Sequence, residues 1–357
     1  HSLRRRQRQM CIRDRLRNMN IPQIGKRQKV FTACYNDPTV DECHFAKKIV
    51  ELTEAEWHKT YPTAKELLKD LKDLIYYQDE PFGSTSIYAQ YRVMKLAKEK
   101  GVKVLLDGQG GDELFTGYKP YYAVLFIDII KNFKIMTLIN ELRNLRNSPI
   151  TLKELFISIC KHIATRLPPK LKLKILSKIN PEFKYIKNDF ISKYIKRDMS
   201  REMIATSLNG MCHVLMTRYL QHLLRYEDRN SMTHSIEART PFSDDVHLIE
   251  YVFSIPGIYK IHNGWSKYLL REAIGDLLPD EIRYRKDKRG FVTPERYWLI
   301  NLKDELKKLL SYDSPYIDTR KLIEDFDKLI EKRSGSSMLW RIINTVIWMK
   351  VFNVESN

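Results

Sequence analysis

The chain has 357 residues, 43% of them apolar, which is ample for a buried core in one or two domains. No apolar run reaches membrane-spanning length: the best, residues 121–130, is broken by Asp128 and followed by Lys131. The basic N-terminus has no apolar segment behind it and so reads as no secretory signal, which favours a soluble, cytoplasmic setting.

The formal net charge of +18 raises a nucleic-acid reading, but its distribution argues against one. Residues 1–15 carry +5 and residues 151–197 carry +9, leaving +4 for the rest. Neither basic patch holds the motifs described below. The five cysteines, Cys11, Cys34, Cys43, Cys160 and Cys212, are few, odd in number and far apart. With no C-x-x-C pair, neither a zinc site nor a disulfide framework is expected.

Residues 1–15, HSLRRRQRQMCIRDR, have no apolar period and no capping pattern. They resemble a translated sequencing adapter and are set apart from the fold as a non-native segment. The functional alternative is a basic arm for nucleic acid or a membrane surface. Residues 29–35, KVFTACY, are β-branched and aromatic and end at the turn signal Asn36-Asp37-Pro38, so a buried strand is expected. Residues 41–52 then follow helical spacing, with Phe45, Ile49 and Leu52 on one face, and residues 56–61 read as a second short strand. Thr63 with Glu66 forms a capping box, followed by an apolar stripe of Leu67, Leu68, Leu71, Leu74 and Ile75. A second helix runs over about 86–100 and ends at Gly101, and residues 102–106 form a buried strand leading into Asp107. From about Tyr118 the chain is helix after helix. Residues 151–197 are a lysine-rich insertion broken by Pro168-Pro169, and the tail over 338–352 is a strongly apolar helix, for core or docking.

Alternating strand, helix and strand predict a doubly wound α/β sheet with a large C-terminal helical portion, and ligands there bind at the carboxyl ends of strands. The loop Asp107-Gly108-Gln109-Gly110-Gly111-Asp112-Glu113 falls at such an end. Three glycines in four positions let backbone N–H groups approach an anion, and adjacent carboxylates make sense beside phosphate when Mg²⁺ lies between them. The plainer reading is a tight β-to-α turn whose helix start favours acids. Downstream, Arg225–Met232 with Glu237–Asp244 packs acids and arginines around a helix end, either a solvated face or charges held by Pro241-Phe242. Lys267, after Gly264, opens a helix where a cation is unfavourable unless it meets an anion, the alternative being a solvated lysine. The basic run over 285–294 ends in a turn and reads as a phosphate clamp or an ordinary loop.

In this order and spacing, DEPFGSTSIYAQY, LLDGQGGDELFTGY, LLRYEDRNSMTHSIEARTPFSDD, GWSKYLLREAIGDLLPDEI and RKDKRGF resemble the synthetase domain of glutamine-hydrolysing asparagine synthetases. The resemblance spans residues 28–352. It implies an adenine-nucleotide α-hydrolase-like fold of the PP-loop ATP pyrophosphatase type and assigns residues 16–357 to one domain. It implies that ATP and aspartate give β-aspartyl-AMP and pyrophosphate, and that ammonia released from glutamine in a separate N-terminal domain then yields asparagine. By resemblance, Asp112 is the Mg²⁺-side carboxylate near pyrophosphate and Lys267 contacts phosphate and stabilises the transition state. Asp107, Gly108, Gln109, Gly110, Gly111 and Glu113 line the nucleotide and intermediate pocket, while Asp228, Arg229, Glu237 and Arg239 scaffold it. A homodimer is kept open.

Two departures stand out. Many relatives carry Glu where this chain has Gln109, and glutamine neither acts as a general base nor carries charge. The family's S-G-G-x-D-S phosphate loop and its glutaminase domain are both missing, which is the pattern of a 3′ gene fragment. Without the central strand that precedes it, the fragment is expected to be poorly stable and inactive by itself. Competing readings are an amidotransferase acting on another carboxylate (a cell-surface sugar acid or a natural product), a basic RNA-binding protein and an inactive interaction protein.

Overall fold

The computed structural model describes residues 28–164, 181–194, 205–286, 290–331 and 335–354. The adapter-like stretch and much of the lysine-rich insertion lie outside these residues.

The N-terminal part alternates as the apolar periodicity predicts. Strand β1 (Lys29–Ala33) leads through the 36–38 turn to helix α1 (Cys43–Thr53), then to β2 (Glu56–Thr60). The two strands pair in parallel, from Lys29 opposite Glu56 to Ala33 opposite Thr60. Helix α2 (Ala64–Gln78) starts at a complete capping box: Glu66 N–H donates to Thr63 Oγ1 at 3.3 Å, and Thr63 N–H donates to Glu66 Oε2 at 3.1 Å. Helix α3 (Ser86–Glu99) stops before Gly101, whose φ of +71° is the left-handed conformation that glycine adopts without strain. Strand β3 (Val104–Leu106) follows, then the short helix α4 (Gly111–Leu114).

Helices then dominate: α5 (Pro120–Lys131), α6 (Ile135–Arg143), α7 (Leu152–Ala164), α8 (Asn188–Tyr194), α9 (Leu208–Val214) and α10 (Leu220–Thr233). Strand β4 (Glu237–Arg239) returns to pair in parallel with β3, Leu105 facing Ala238. Helices α11 (Pro241–Asp244) and α12 (Val246–Ser254) lead to a two-residue antiparallel hairpin, β5 (Ile261–His262) and β6 (Trp265–Ser266). Six helices complete the chain: α13 (Tyr268–Ala273), α14 (Asp280–Arg283), α15 (Glu295–Asn301), α16 (Lys303–Leu310), α17 (Thr319–Glu331) and α18 (Gly335–Val351).

One expectation is corrected in form. Among the described residues there is no continuous doubly wound sheet but three two-stranded pairs, β1–β2, β3–β4 and β5–β6. None of the described strands joins these pairs into one sheet. The two parallel pairs nonetheless share one core, in which Phe31 of β1 and Leu105 of β3 pack with Val93, Met94 and Ala97 of α3. A second correction concerns the cysteines. Cys34 and Cys43 are bonded as a disulfide, because the turn after β1 folds the chain back and brings their Cα atoms to 5.7 Å. Counting and C-x-x-C spacing could not show this.

The largest core joins α2 and α3 to α15–α18 around the fully buried Trp340, so the apolar tail helix is core. Residues of α5 and α9 build a second core with Ile261 of β5. No helix among the described residues is long and apolar enough to cross a membrane.

Two measurements check this frame. Replacing Thr63 with Ala removes the α2 cap and is expected to cost about 1 kcal/mol in chemical denaturation. His234 is buried against Tyr91, with ring centroids 4.5 Å apart. Burial, helped by Lys98 and Lys95, lowers its pKa from 6.5 to about 4. The unfolded chain therefore binds a proton at a pH where the folded chain does not. Stability from this residue is full above pH 6.5 and falls as pH drops towards about 4. Denaturation midpoints of His234→Gln are expected to fall less steeply across that window than those of the parent.

A candidate active site at the end of strand 3

The parallel pairing of β3 and β4 puts the loops that follow them at the same edge. Their union is direct. Asp107 N–H donates to Arg239 O at 2.8 Å, and the glycine loop rests on the turn after β4. Gly110 has a φ of +88°, and a Cβ there would lie 3.0 Å from Ser243 Cβ and 3.1 Å from the Phe242 carbonyl carbon. Both the backbone shape and the close approach therefore require glycine. The Thr240–Asp244 turn is self-braced, since Ser243 Oγ donates to Thr240 O at 2.8 Å and Thr240 Oγ1 to Asp244 Oδ2 at 3.0 Å. This is why DGQGGDE and ARTPFSDD belong to one site despite their separation in sequence.

Asp112, in the only turn of α4, is 2% exposed. The Nζ of Lys267 lies 3.0 Å from its Oδ1. The two residues that the resemblance made catalytic thus meet in a largely buried ion pair. Lys267 has a φ of +56°, an uncommon conformation for a residue with a side chain, and one that the surroundings must hold. They do so from several sides. Glu141 of α6 accepts the N–H groups of Asn263 and Gly264, each at 2.9 Å. Tyr122 of α5 donates to Gly264 O at 2.8 Å. Tyr268 N–H donates to Lys260 O and Arg271 N–H to Lys267 O, both at 2.9 Å. The helical portion therefore aims the lysine that the α/β portion receives.

Asp107 and Gln109 are both buried, and Gln109 Oε1 has no hydrogen-bond partner among the described residues. Glu113 is buried too, but its carboxylate accepts from Tyr118 and its backbone carbonyl from Tyr121 at 2.7 Å, so it braces the loop. The four proposed scaffold residues do not join this cluster through their side chains. Asp228 and Arg229 are exposed on α10, and Arg229 pairs with Asp79 at 2.6 Å. Glu237 and Arg239 are exposed and pair with each other at 2.7 Å, while only the backbone of β4 supports the loop.

Three contributors escaped sequence reasoning. Gly117 lies against the ion pair: a Cβ there would collide with Asp112 Oδ1 and come within 2.6 Å of Lys267 Cε. The T-G-Y after DELF was the available signal. Lys260 is fully buried, its Nζ 4.8 Å from the Phe253 ring centre, and burial lowers its pKa against an opposing influence of Cys212. No motif marked it. Arg271, whose pKa burial lowers to about 10, donates to the carbonyls of Ser266 at 2.8 Å and Arg285 at 2.9 Å.

What these residues can do is now definable. A buried carboxylate and a largely buried ammonium stand beside a glycine-rich loop at the carboxyl end of a parallel strand, where nucleotide phosphates bind in α/β folds. The sequence profile described as asparagine synthase matches residues 4–350, and the chain belongs to that family, whose synthase domain is of the PP-loop ATP pyrophosphatase type. Asparagine synthetase [glutamine-hydrolyzing] 1 of Bacillus subtilis is 27% identical over 92% of this chain and 52% of its own length. Asparagine synthetase 3 of the same organism is 26% identical over 86% of this chain and 45% of its own. Amidase chry2 of Gibberella zeae is 22% identical over 76% of this chain and 44% of its own. The chain spans about half the length of these relatives.

Gly117→Ala is expected to force Asp112 and Lys267 apart and to cost about 3 kcal/mol or more, the scale for breaking a buried charge pair. Gly290→Ala serves as the control, since a Cβ there meets nothing within 4 Å and is expected to leave the melting temperature unchanged. Calorimetry of both variants checks the contrast.

Proposed function

We propose that this chain is the ATP-using half of an amide-forming ligase. In this reading it joins ATP to the side-chain carboxylate of aspartate, and ammonia from glutamine converts the β-aspartyl-AMP to asparagine. The observation that carries the proposal is the Asp112–Lys267 pair, held at 3.0 Å beside the glycine loop. Membership of the asparagine synthase family supports it.

The residues present suit Mg²⁺. Asp107 and Asp112 offer hard carboxylate oxygens, both residues at most 2% exposed, and Mg²⁺ commonly takes one or two carboxylates with phosphate and water completing its shell. Bound there, the ion would neutralise charge on the departing pyrophosphate. Asp112 would hold it from the loop. Lys267, released from Asp112, would turn its ammonium to phosphate oxygens as charge develops on them. Backbone N–H groups of Gly108 and Gly110 would donate to the phosphates, while Gly111 N–H stays on Gly108 O at 3.3 Å. Gln109 would bond to substrate through its amide and would move no proton at that position.

Residues for the S-G-G-x-D-S loop are absent from this chain. The edges of β1 and β3 that pair with no described strand, over a shared core, support a further strand between them bearing that loop. In this reading the chain alone does not turn over, a glutaminase domain supplies ammonia, and the setting is cytoplasmic.

A second reading has one specific support. The similarity to an amidase from Gibberella zeae fits an amidotransferase whose acceptor is another carboxylate. ATP–pyrophosphate exchange in the intact gene product separates the two. Exchange that requires aspartate supports the first reading, and exchange that ignores aspartate but responds to a different carboxylic acid supports the second. In either case Lys267→Ala and Asp112→Asn are expected to lower the exchange rate by roughly 100-fold or more, and undiminished exchange in Lys267→Ala would overturn the site assignment.

A further inference from the structure

One cluster of reactive side chains lies outside the loop and the ion pair. Cys34 directly follows β1, is 3% exposed, and its N–H donates to Thr60 O at 2.9 Å. Cys43 is the first residue of α1 and is partly exposed. The disulfide between them closes a loop at the carboxyl end of a parallel strand. Asp41 lies in the same loop, and the three side chains could together hold a metal ion. The hydrogen bonds favour the disulfide. Asp41 Oδ1 accepts from Tyr35 N–H at 2.9 Å and Oδ2 from Cys43 N–H at 3.1 Å, so both carboxylate oxygens already shape the loop.

The loop also touches the lysine arm. Glu42, next to Cys43, accepts from Arg285 Nη2 at 2.6 Å, with side chains only 13% and 9% exposed. The Arg285 guanidinium lies 4.0 Å from the centre of the Phe45 ring on α1. The Arg285 carbonyl accepts from Arg271, which also holds Ser266 O, one residue before Lys267. A continuous set of contacts therefore runs from Cys43 through Glu42, Arg285 and Arg271 to Lys267.

We propose that Cys34 and Cys43 are a reversible thiol-modification site, whose oxidation pins the Glu42–Arg285 contact and with it the arm leading to Lys267. The co-reactant is a low-molecular-weight disulfide, RSSR. The Cys43 thiolate, the more exposed of the two and at the start of an 11-residue helix, attacks one sulfur of RSSR and expels RS⁻. The helix start favours the thiolate, while Asp41 and Glu42 oppose it. The Cys34 thiolate then attacks the Cys43 sulfur of the mixed disulfide and expels the second RS⁻. Two protons and two electrons leave the protein thiols, and RSSR becomes two RSH. Excess RSH reverses both steps. In a reducing compartment a protein disulfide of this kind is a transient regulatory device.

The test uses the full chain equilibrated in glutathione buffers of varied ratio. Peptide mapping without reductant is expected to show a Cys34–Cys43 link, two hydrogens lighter than the dithiol, that disappears as the buffer becomes reducing. Trypsin cleavage after Arg285 then reads the arm, because an arginine whose guanidinium is held in an ion pair is cut only when that contact opens. Cleavage is expected to quicken several-fold on reduction, to be fast in Cys43→Ser with or without oxidant, and to respond to oxidant normally in Cys160→Ser. If Cys43→Ser does not fold, the reduced parent alkylated at Cys43 takes its place with the same expectation. Failure to form the link, or equal cleavage rates in the linked and reduced chains, would overturn the proposal. So would one equivalent of zinc bound by the reduced chain, lost in Cys43→Ser and blocking oxidation, since that outcome makes the cluster a metal site. None of these readouts requires ATP turnover, so they fail or succeed independently of the proposed activity.

Discussion

An ammonium held 3.0 Å from a carboxylate that is itself almost wholly buried sets the terms for everything around it. Two such charges leave water at considerable cost, and their attraction compensates only if the geometry is kept. Each arrangement described nearby serves that geometry. Gly117 leaves space for the contact. Gly110 lets the loop lie against the 240–244 turn. The hairpin before Lys267 is clamped by Glu141 and Tyr122, from helices that contribute no reacting group. The helical portion is therefore part of the site in a mechanical sense, because it fixes a backbone conformation that a lysine does not adopt readily.

The same pair is matched in charge as it stands. With no anion present, Asp112 and Lys267 satisfy each other. In the proposed reading, a metal-bound phosphate would offer each a partner of the opposite sign, so that neither charge would be left unmatched if the pair opened. Glu113 takes no part in such an exchange, since Tyr118 and Tyr121 hold it, and its place in the motif is explained by support of the loop.

Much of this was legible in the residues, for identifiable reasons. The capping box at Thr63, the glycine stop at 101 and the β-branched run at 29–33 are local signals, and local signals set helix starts, stops and strands. The glycine loop and Lys267 were legible because their chemistry is unusual for their positions. What stayed hidden depends on contacts across the chain. The Cys34–Cys43 bond arises from a turn geometry that spacing rules do not encode. The buried Lys260 is an ordinary lysine until packing removes its water. Asp228, Arg229, Glu237 and Arg239 drew notice as a dense charge pattern, yet all four are exposed, three of them in surface ion pairs, and it is the β4 backbone that reaches the loop. The single doubly wound sheet was an inference from alternation, and alternation does not say which strands bond to which.

The register of β3 against β4 has a kinetic consequence. Leu105 meets Ala238 across more than a third of the chain, with helices α4 to α10 lying between them in sequence. Contacts so distant in sequence carry the loop-closure entropy of the whole intervening segment and form slowly. The α2–α3 pair, assembled from neighbouring helices, has no such delay. The glycine loop gains its floor only when β4 arrives, so it is among the last parts of the molecule to take shape. A nascent chain would carry the α2 capping box long before the glycine loop is seated on the turn after β4.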